Sequence, residues 1–336
     1  MNTPRATLNP FLKTCLYALI FFGAFGVLGS FFLVVKNTGK VPPQPDKLLD
    51  RVLAQRGLED KLSIAVMRNG HELYRRTPPR AEGGRVRTYP LGTLGDTFTA
   101  MAIMILHDRE KLDFHQTAAS LLPGLEAPGT DWEIRRLLSH SGGPHPLSAV
   151  STDPDGRSNL DPDSGTGYDP DHYRLLVRVV AGLSGTSAAA FIGENILKPL
   201  DMNDTFFEAG GEETDPWEPG TWHASLEDLI KWEASFNGNR LVRLNTLLTA
   251  FRPIDSAGGE KGMFGFGWSI ENYRGLRLEQ AWDRGETHGA AITRFSEKSF
   301  AAIVLSDAPR EIVDPAALGK EIGIIYMNRE LPLAFR

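Results

Sequence analysis

The chain reads as an α+β domain preceded by one transmembrane helix. Three observations predict this. A hairpin signature, Asn69-Gly70, stands near the start of the globular part. A long apolar helical run, Phe98–Leu106, opens its middle. Strand-like segments and a last helix close it.

The N-terminal element comes first. Residues 14–35 form an uncharged, strongly apolar run of 22 residues. That length suits a spanning helix of roughly 20 residues better than a secretory core of about 7–15. No A-x-A cleavage signal follows it, so the run is expected to remain as a single-pass anchor. Residues 1–13 would be a tail before the span, in the cytosol if the orientation implied by the family resemblance given below holds. Arg5 and Lys13 precede the span and Lys36, Lys40 and Lys47 follow it, so flanking charge does not fix the orientation. Residues 36–45, with Val41-Pro42-Pro43-Gln44-Pro45, make a stiff linker to a domain over 46–336. The single cysteine, Cys15, excludes an internal disulfide, and a net charge of -6 leaves no basic footprint for nucleic acid.

Within the domain, Asp46 is placed to cap a helix over Lys47–Arg56. Strands are expected at Leu62–Arg68 and His71–Arg75 around a type I′ turn. A loop over 77–87 leads to Tyr89–Asp113, where Leu91-Gly92-Thr93-Leu94-Gly95 feeds the apolar helix. Asp131 is expected to cap a helix through Leu138 that stops at His140-Ser141-Gly142-Gly143. Residues 144–171 are rich in Pro, Asp, Gly and Ser and lack apolar periodicity, which marks a long surface loop. Their acidic pairs do not complete a calcium-loop pattern. Helices follow at Tyr173–Leu183 and Ser187–Leu197, and Ser225 opens another with Glu227 as its capping-box partner. Gly265-Phe266-Gly267-Trp268 begins a strand, and further strands lie near 276–282, 289–295 and 299–306. A helix ends the domain at Pro315–Met327.

Several of these segments resemble the serine β-lactamase-like and penicillin-binding family, which includes class C β-lactamases, D-Ala-D-Ala carboxypeptidases and esterase relatives. The frame Thr97-Phe98-Thr99-Ala100 matches the helix after the family's Ser-x-x-Lys motif. The segment Ile134–Gly143 is similar to its I-R-x-L-L-T-H-T-S-G stretch, and Ser225–Leu229 and Gly265–Trp268 look like further landmarks. The resemblance covers about 46–330. It implies a sheet built from both chain ends, with a helical region over roughly 97–262 inserted between them.

The motif positions themselves depart from the family. Where the resemblance implies a nucleophilic serine and a lysine, the chain has Thr93 and Asp96. A threonine hydroxyl is crowded by its methyl. A carboxylate of pKa about 4, held further down by a helix N-terminus, is a poor base for it. The alternative is that Thr93 and Asp96 simply cap the helix. The second motif, Tyr-x-Asn, falls on Tyr168-Asp169-Pro170, so Tyr168 remains as a general base, hydrogen-bond donor or packing residue while the amide is lost. The third motif falls on His288 when counted back from Phe295 and on Glu286 when counted forward from Gly285. His140, His145 and His223 lack the spacing of a zinc site, and no cofactor is implied.

Two functions follow as expectations. One is a catalytically impaired binding or scaffolding module at the cell envelope, with its domain outside the cytosol. Its ligand would be peptidoglycan-like, a small acyl compound or a protein. The other is a divergent esterase, amidase or β-lactamase-like hydrolase that uses Thr93 with Tyr168 or Asp96.

Overall fold

The computed structural model describes residues 44–78, 84–122, 132–141, 170–209, 221–255, 262–283, 288–309 and 311–328. The run 14–35, Tyr168, Glu286 and most of the acidic loop lie outside them. Among the described residues no single helix is long and apolar enough to cross a membrane.

Helix α1 (Pro45–Gln55) is followed by β1 (Leu62–Arg68) and β2 (His71–Arg76). The turn between the strands has positive φ at both residues, 50° at Asn69 and 76° at Gly70, as a type I′ hairpin requires. Next come β3 (Thr88–Pro90), a 3-10 turn over Gly92–Gly95, and α2 (Asp96–Asp108). The middle of the chain supplies α3 (Ala118–Leu121), α4 (Ile134–Leu138), α5 (Pro170–Ser184) and α6 (Ala188–Ile192), which runs into a π-helical turn over Gly193–Leu197. Strands β4 (Phe206–Glu208) and β5 (Thr221–Ser225) precede α7 (Leu226–Ser235) and α8 (Leu244–Ala250). The chain then forms β6 (Ser269–Tyr273), β7 (Leu276–Trp282), β8 (Gly289–Phe295), β9 (Phe300–Ser306) and α9 (Pro315–Met327).

The main sheet is antiparallel in the order β2-β1-β9-β8-β7-β6, so both chain ends build it, as the resemblance implied. Side chains alternate between its faces. Ala65, Ala290, Ile292, Ile303 and Leu305 join the core of α2, α5 and α7. Ile64, Val66, Ala302, Val304 and Phe300 join a second core under α1 and α9 with Leu49, Leu53, Leu318 and Ile322. Because both faces are covered, β8 and β9 are buried along their whole length. Helix α9 sits close on β8, and a Cβ at Gly319 would lie 2.1 Å from Thr293 Oγ1.

Some expectations need correction. Helix α4 has Glu133, not Asp131, at its N-cap, and the Glu133 side chain makes no cap bond but pairs with Arg135 and Arg136. Ser225 does cap α7 by accepting from the Asp228 N–H, yet Glu227 turns outward to Arg75 and completes no capping box. Strand β6 starts at Ser269, after Gly265–Trp268. A second sheet, β3-β5-β4, was not foreseen. Helices α5 and α6 with the π turn form an apolar pair, but are bent by 73°. Their Leu176, Val179, Val180, Ile192 and Ile196 belong to the core.

Candidate active site

Helix α2 is buried at ten consecutive positions, Thr97–Leu106, so its first turn lies deep in the domain. The backbone enters it through the 3-10 turn, tied by the Leu91 N–H to Trp222 O at 2.8 Å and by the Leu94 N–H to Leu91 O at 2.9 Å. This turn puts Thr93 beside the end of β7, and Asp96 follows in the first turn of α2. The cap positions Leu91 and Gly95 make no side-chain cap bond, and the Thr93 hydroxyl points to β7. It donates to Trp282 O at 2.7 Å.

The Thr93 N–H faces a carboxylate, Asp283 Oδ1, at 3.3 Å. Asp283 is nearly buried, and its Oδ2 lies 3.2 Å from His288 Nε2. The carboxylate fits there because residue 92 has no side chain. Gly92 has φ +46, and a Cβ on it would sit 1.8 Å from Asp283 Oδ1. His288 is thus not on the strand beside Thr93. It precedes β8, with its Nε2 set against Asp283. The strand segment beside Thr93 is the end of β7, at Gln280, Ala281 and Trp282.

Thr93 and Asp96 line a shallow concavity of about 330 Å³, part of it open to solvent, with His140, Phe264, Gly267, Ser269, Gln280, Ala281 and Trp282. His140 is buried with φ 52, an uncommon backbone state for a side-chain-bearing residue. Its ring packs against His172 at 5.7 Å, Tyr173 at 5.1 Å and Phe264 at 5.3 Å. Tyr173 donates its hydroxyl to Leu138 O at 2.9 Å. Its own ionisation is pushed well up by burial, and further by the negative charge of Asp96.

Of the sequence-predicted residues, the structure brings Thr93 and Asp96 to one cavity, sets His288 behind Asp283, and does not describe Tyr168. His140 stood in a recognised segment without an assigned role, and its position after a helix stop was the available signal. Asp283 had none, being 190 residues from Thr93 in sequence. Among the described residues no three His, Cys, Asp or Glu side chains gather as metal ligands.

The family model described as Beta-lactamase matches residues 49–325. No curated protein matches the chain. Among solved structures it is similar to an octameric penicillin-binding protein homologue from Pyrococcus abyssi, at 20% identity and TM-score 0.61, over 84% of this chain and 79% of that one. It is also similar to a D-amino acid amidase from Ochrobactrum anthropi SV3, at 16% identity and TM-score 0.63, over 85% and 98% of the two chains. A class C beta lactamase from Rhodobacter sphaeroides is similar at 14% identity and TM-score 0.59, over 82% and 98%. At these identities the likeness is one of fold.

Proposed function

The chain belongs to the beta-lactamase family, and from that premise we propose that it is a membrane-anchored member that has given up acyl transfer and works as a binding or scaffolding module at the cell envelope. One observation carries this reading. Both polar groups of Thr93 are engaged by the end of β7, the hydroxyl by Trp282 O and the N–H by the Asp283 carboxylate.

Acyl transfer needs a hydroxyl that can lose its proton to a base and a donor that receives the developing oxyanion. Here the residue on the next helical turn is Asp96, whose anion is favoured at a helix N-terminus and is a weak base. The N–H that would meet an oxyanion already meets a carboxylate. A negative tetrahedral intermediate would therefore form against negative charge.

Anchoring rests on the uncharged run 14–35. The domain would stand outside the cytosol and hold a peptidoglycan-like ligand, a small acyl compound or a protein partner. The full-length chain should sediment with membranes and resist carbonate extraction; release by carbonate would remove the anchor.

Catalysis is tested by turnover. The full-length chain in detergent, given nitrocefin and p-nitrophenyl acetate, should hydrolyse neither faster than Thr93→Ala. Turnover that depends on Thr93 would instead establish a divergent hydrolase with Thr93 as nucleophile.

A further inference from the structure

Helix α8 carries leucines on two sides. Thr246, Leu247 and Ala250 are buried against the domain, while Leu244 and Leu248, one turn apart, are 53% and 48% exposed. Side chains four residues apart are neighbours on a helix, so the two form one apolar strip rather than scattered single contacts. The strip lies in a basic setting. Residues 234–254 hold three arginines, Arg240, Arg243 and Arg252, and no aspartate or glutamate, in a chain of net charge -6. All three arginines are exposed. Arg243 pairs with Asp108 at 3.1 Å, but Arg240 donates to a carbonyl, Pro199 O at 2.8 Å, which leaves its charge uncancelled by that contact. Strand β2 has the opposite character. Its Leu73 is 44% exposed, yet Arg75 meets Glu72 and Glu227, and Arg76 meets Asp50.

We infer that the α8 face docks on a bilayer containing anionic lipid, with Leu244 and Leu248 entering the headgroup boundary and Arg240 and Arg252 meeting lipid phosphates. Two leucines on one turn offer far less than the roughly 800 Å² per partner of a stable protein interface, which argues against a second copy or a protein as the occupant. A tethered domain needs less. The ten residues 36–45 span at most about 35 Å, so an anchored chain keeps the face close to lipid and a weak contact is enough to hold it. The inference goes beyond the binding-module reading and rests only on its anchoring part.

The test uses the full-length chain with Cys15→Ser, reconstituted in phosphatidylcholine vesicles with or without phosphatidylglycerol. One new cysteine, Leu248→Cys or the control Leu73→Cys, carries an environment-sensitive fluorophore. With phosphatidylglycerol present, the label at 248 should shift to the blue and lose emission to doxyl-labelled lipid, and the label at 73 should do neither. Arg240→Gln and Arg252→Gln should each lower the docked-to-free ratio about fivefold. Equal lipid quenching at the two positions, or none at 248, would overturn the inference. A blue shift at 248 without lipid quenching would assign the face to a protein or a second copy and overturn it too. Should the cysteine variant fail to fold, hydrogen exchange decides: the Leu244–Ala250 amides of the wild-type chain should exchange more slowly with phosphatidylglycerol than without, and equal rates would overturn the inference. The anchor can fail separately. Release by carbonate, together with flotation on phosphatidylglycerol vesicles that Leu244→Ser with Leu248→Ser abolishes, would end the anchor and leave the docking face. Resistance to carbonate without quenching at 248 would end the docking face alone.

Discussion

Helix α2 and the 3-10 turn that feeds it are adjacent in sequence and were shaped by different demands. The helix is apolar on every side, with Phe98 wedged between Trp222 at 5.5 Å and Trp232 at 4.7 Å. Such a segment keeps its identity through volume and shape, which many related sequences can preserve together. The turn buries Leu94 and Gly95 but holds Thr93, only partly buried, against the end of β7. A family fold can thus persist around α2 while the residues at 93 and 96 differ from the Ser-x-x-Lys pattern the resemblance implies.

If that contrast is right, the largest stability loss belongs to the helix. Phe98→Ala should cost about 3–5 kcal/mol in urea unfolding, because a fully buried ring between two tryptophans leaves a cavity its neighbours cannot fill. In the turn, Gly92→Ala should cost about 2 kcal/mol, combining positive-φ strain with the collision against Asp283. In an Asp283→Gly background the same change should cost only the backbone part, about 1 kcal/mol. A cycle showing no coupling would detach Asp283 from the turn.

A smaller effect tests the seam between the two regions. Thr97 is buried, and its hydroxyl donates to Leu94 O at 2.8 Å, joining the helix to the turn. Thr97→Val should lose about 1 kcal/mol with the apolar packing kept.

The smallest effect is acid dependence at the far end of α2. Burial tends to raise the Asp108 carboxyl, but hydrogen bonds from the Thr246 hydroxyl and the Arg243 N–H and guanidinium outweigh it and hold the carboxyl below its ordinary range. A depressed folded value stabilises above the unfolded value, about 4, and that contribution is lost as pH falls through the folded one. Wild type should therefore be the more stable of the pair against Asp108→Asn at neutral pH. The gap should close as the pH falls below about 4 in pH-scanned urea unfolding.

How much could be read beforehand follows the same division. The hairpin at Asn69-Gly70, the buried run of α2, the three late strands and α9 are written in local signals: turn chemistry, apolar spacing and a capping Asp314 before Pro315. The second sheet is not. Phe206–Glu208 is exposed at every residue and so shows no alternation, and Thr88–Pro90 ends in a proline. The site was half legible. Thr93 and Asp96 were found because a neighbouring helix matches a family frame. The partners that define their chemistry, Trp282 and Asp283, arrive from the other end of the chain through sheet pairing, and no spacing rule connects them to the turn. His288 was one of two residues on which the third motif could fall, just before the strand expected at 289–295. Its place behind Asp283 depends on where β7 ends and β8 begins, which side-chain pattern alone does not fix.

The central claim is that Thr93 is not a working nucleophile. Intact-mass measurement of the full-length chain after incubation with a fluorophosphonate and, separately, with a penicillin tests it most directly. The account predicts an unchanged mass with both reagents on a folded sample. An adduct that maps to Thr93 and disappears in Thr93→Ala would contradict it.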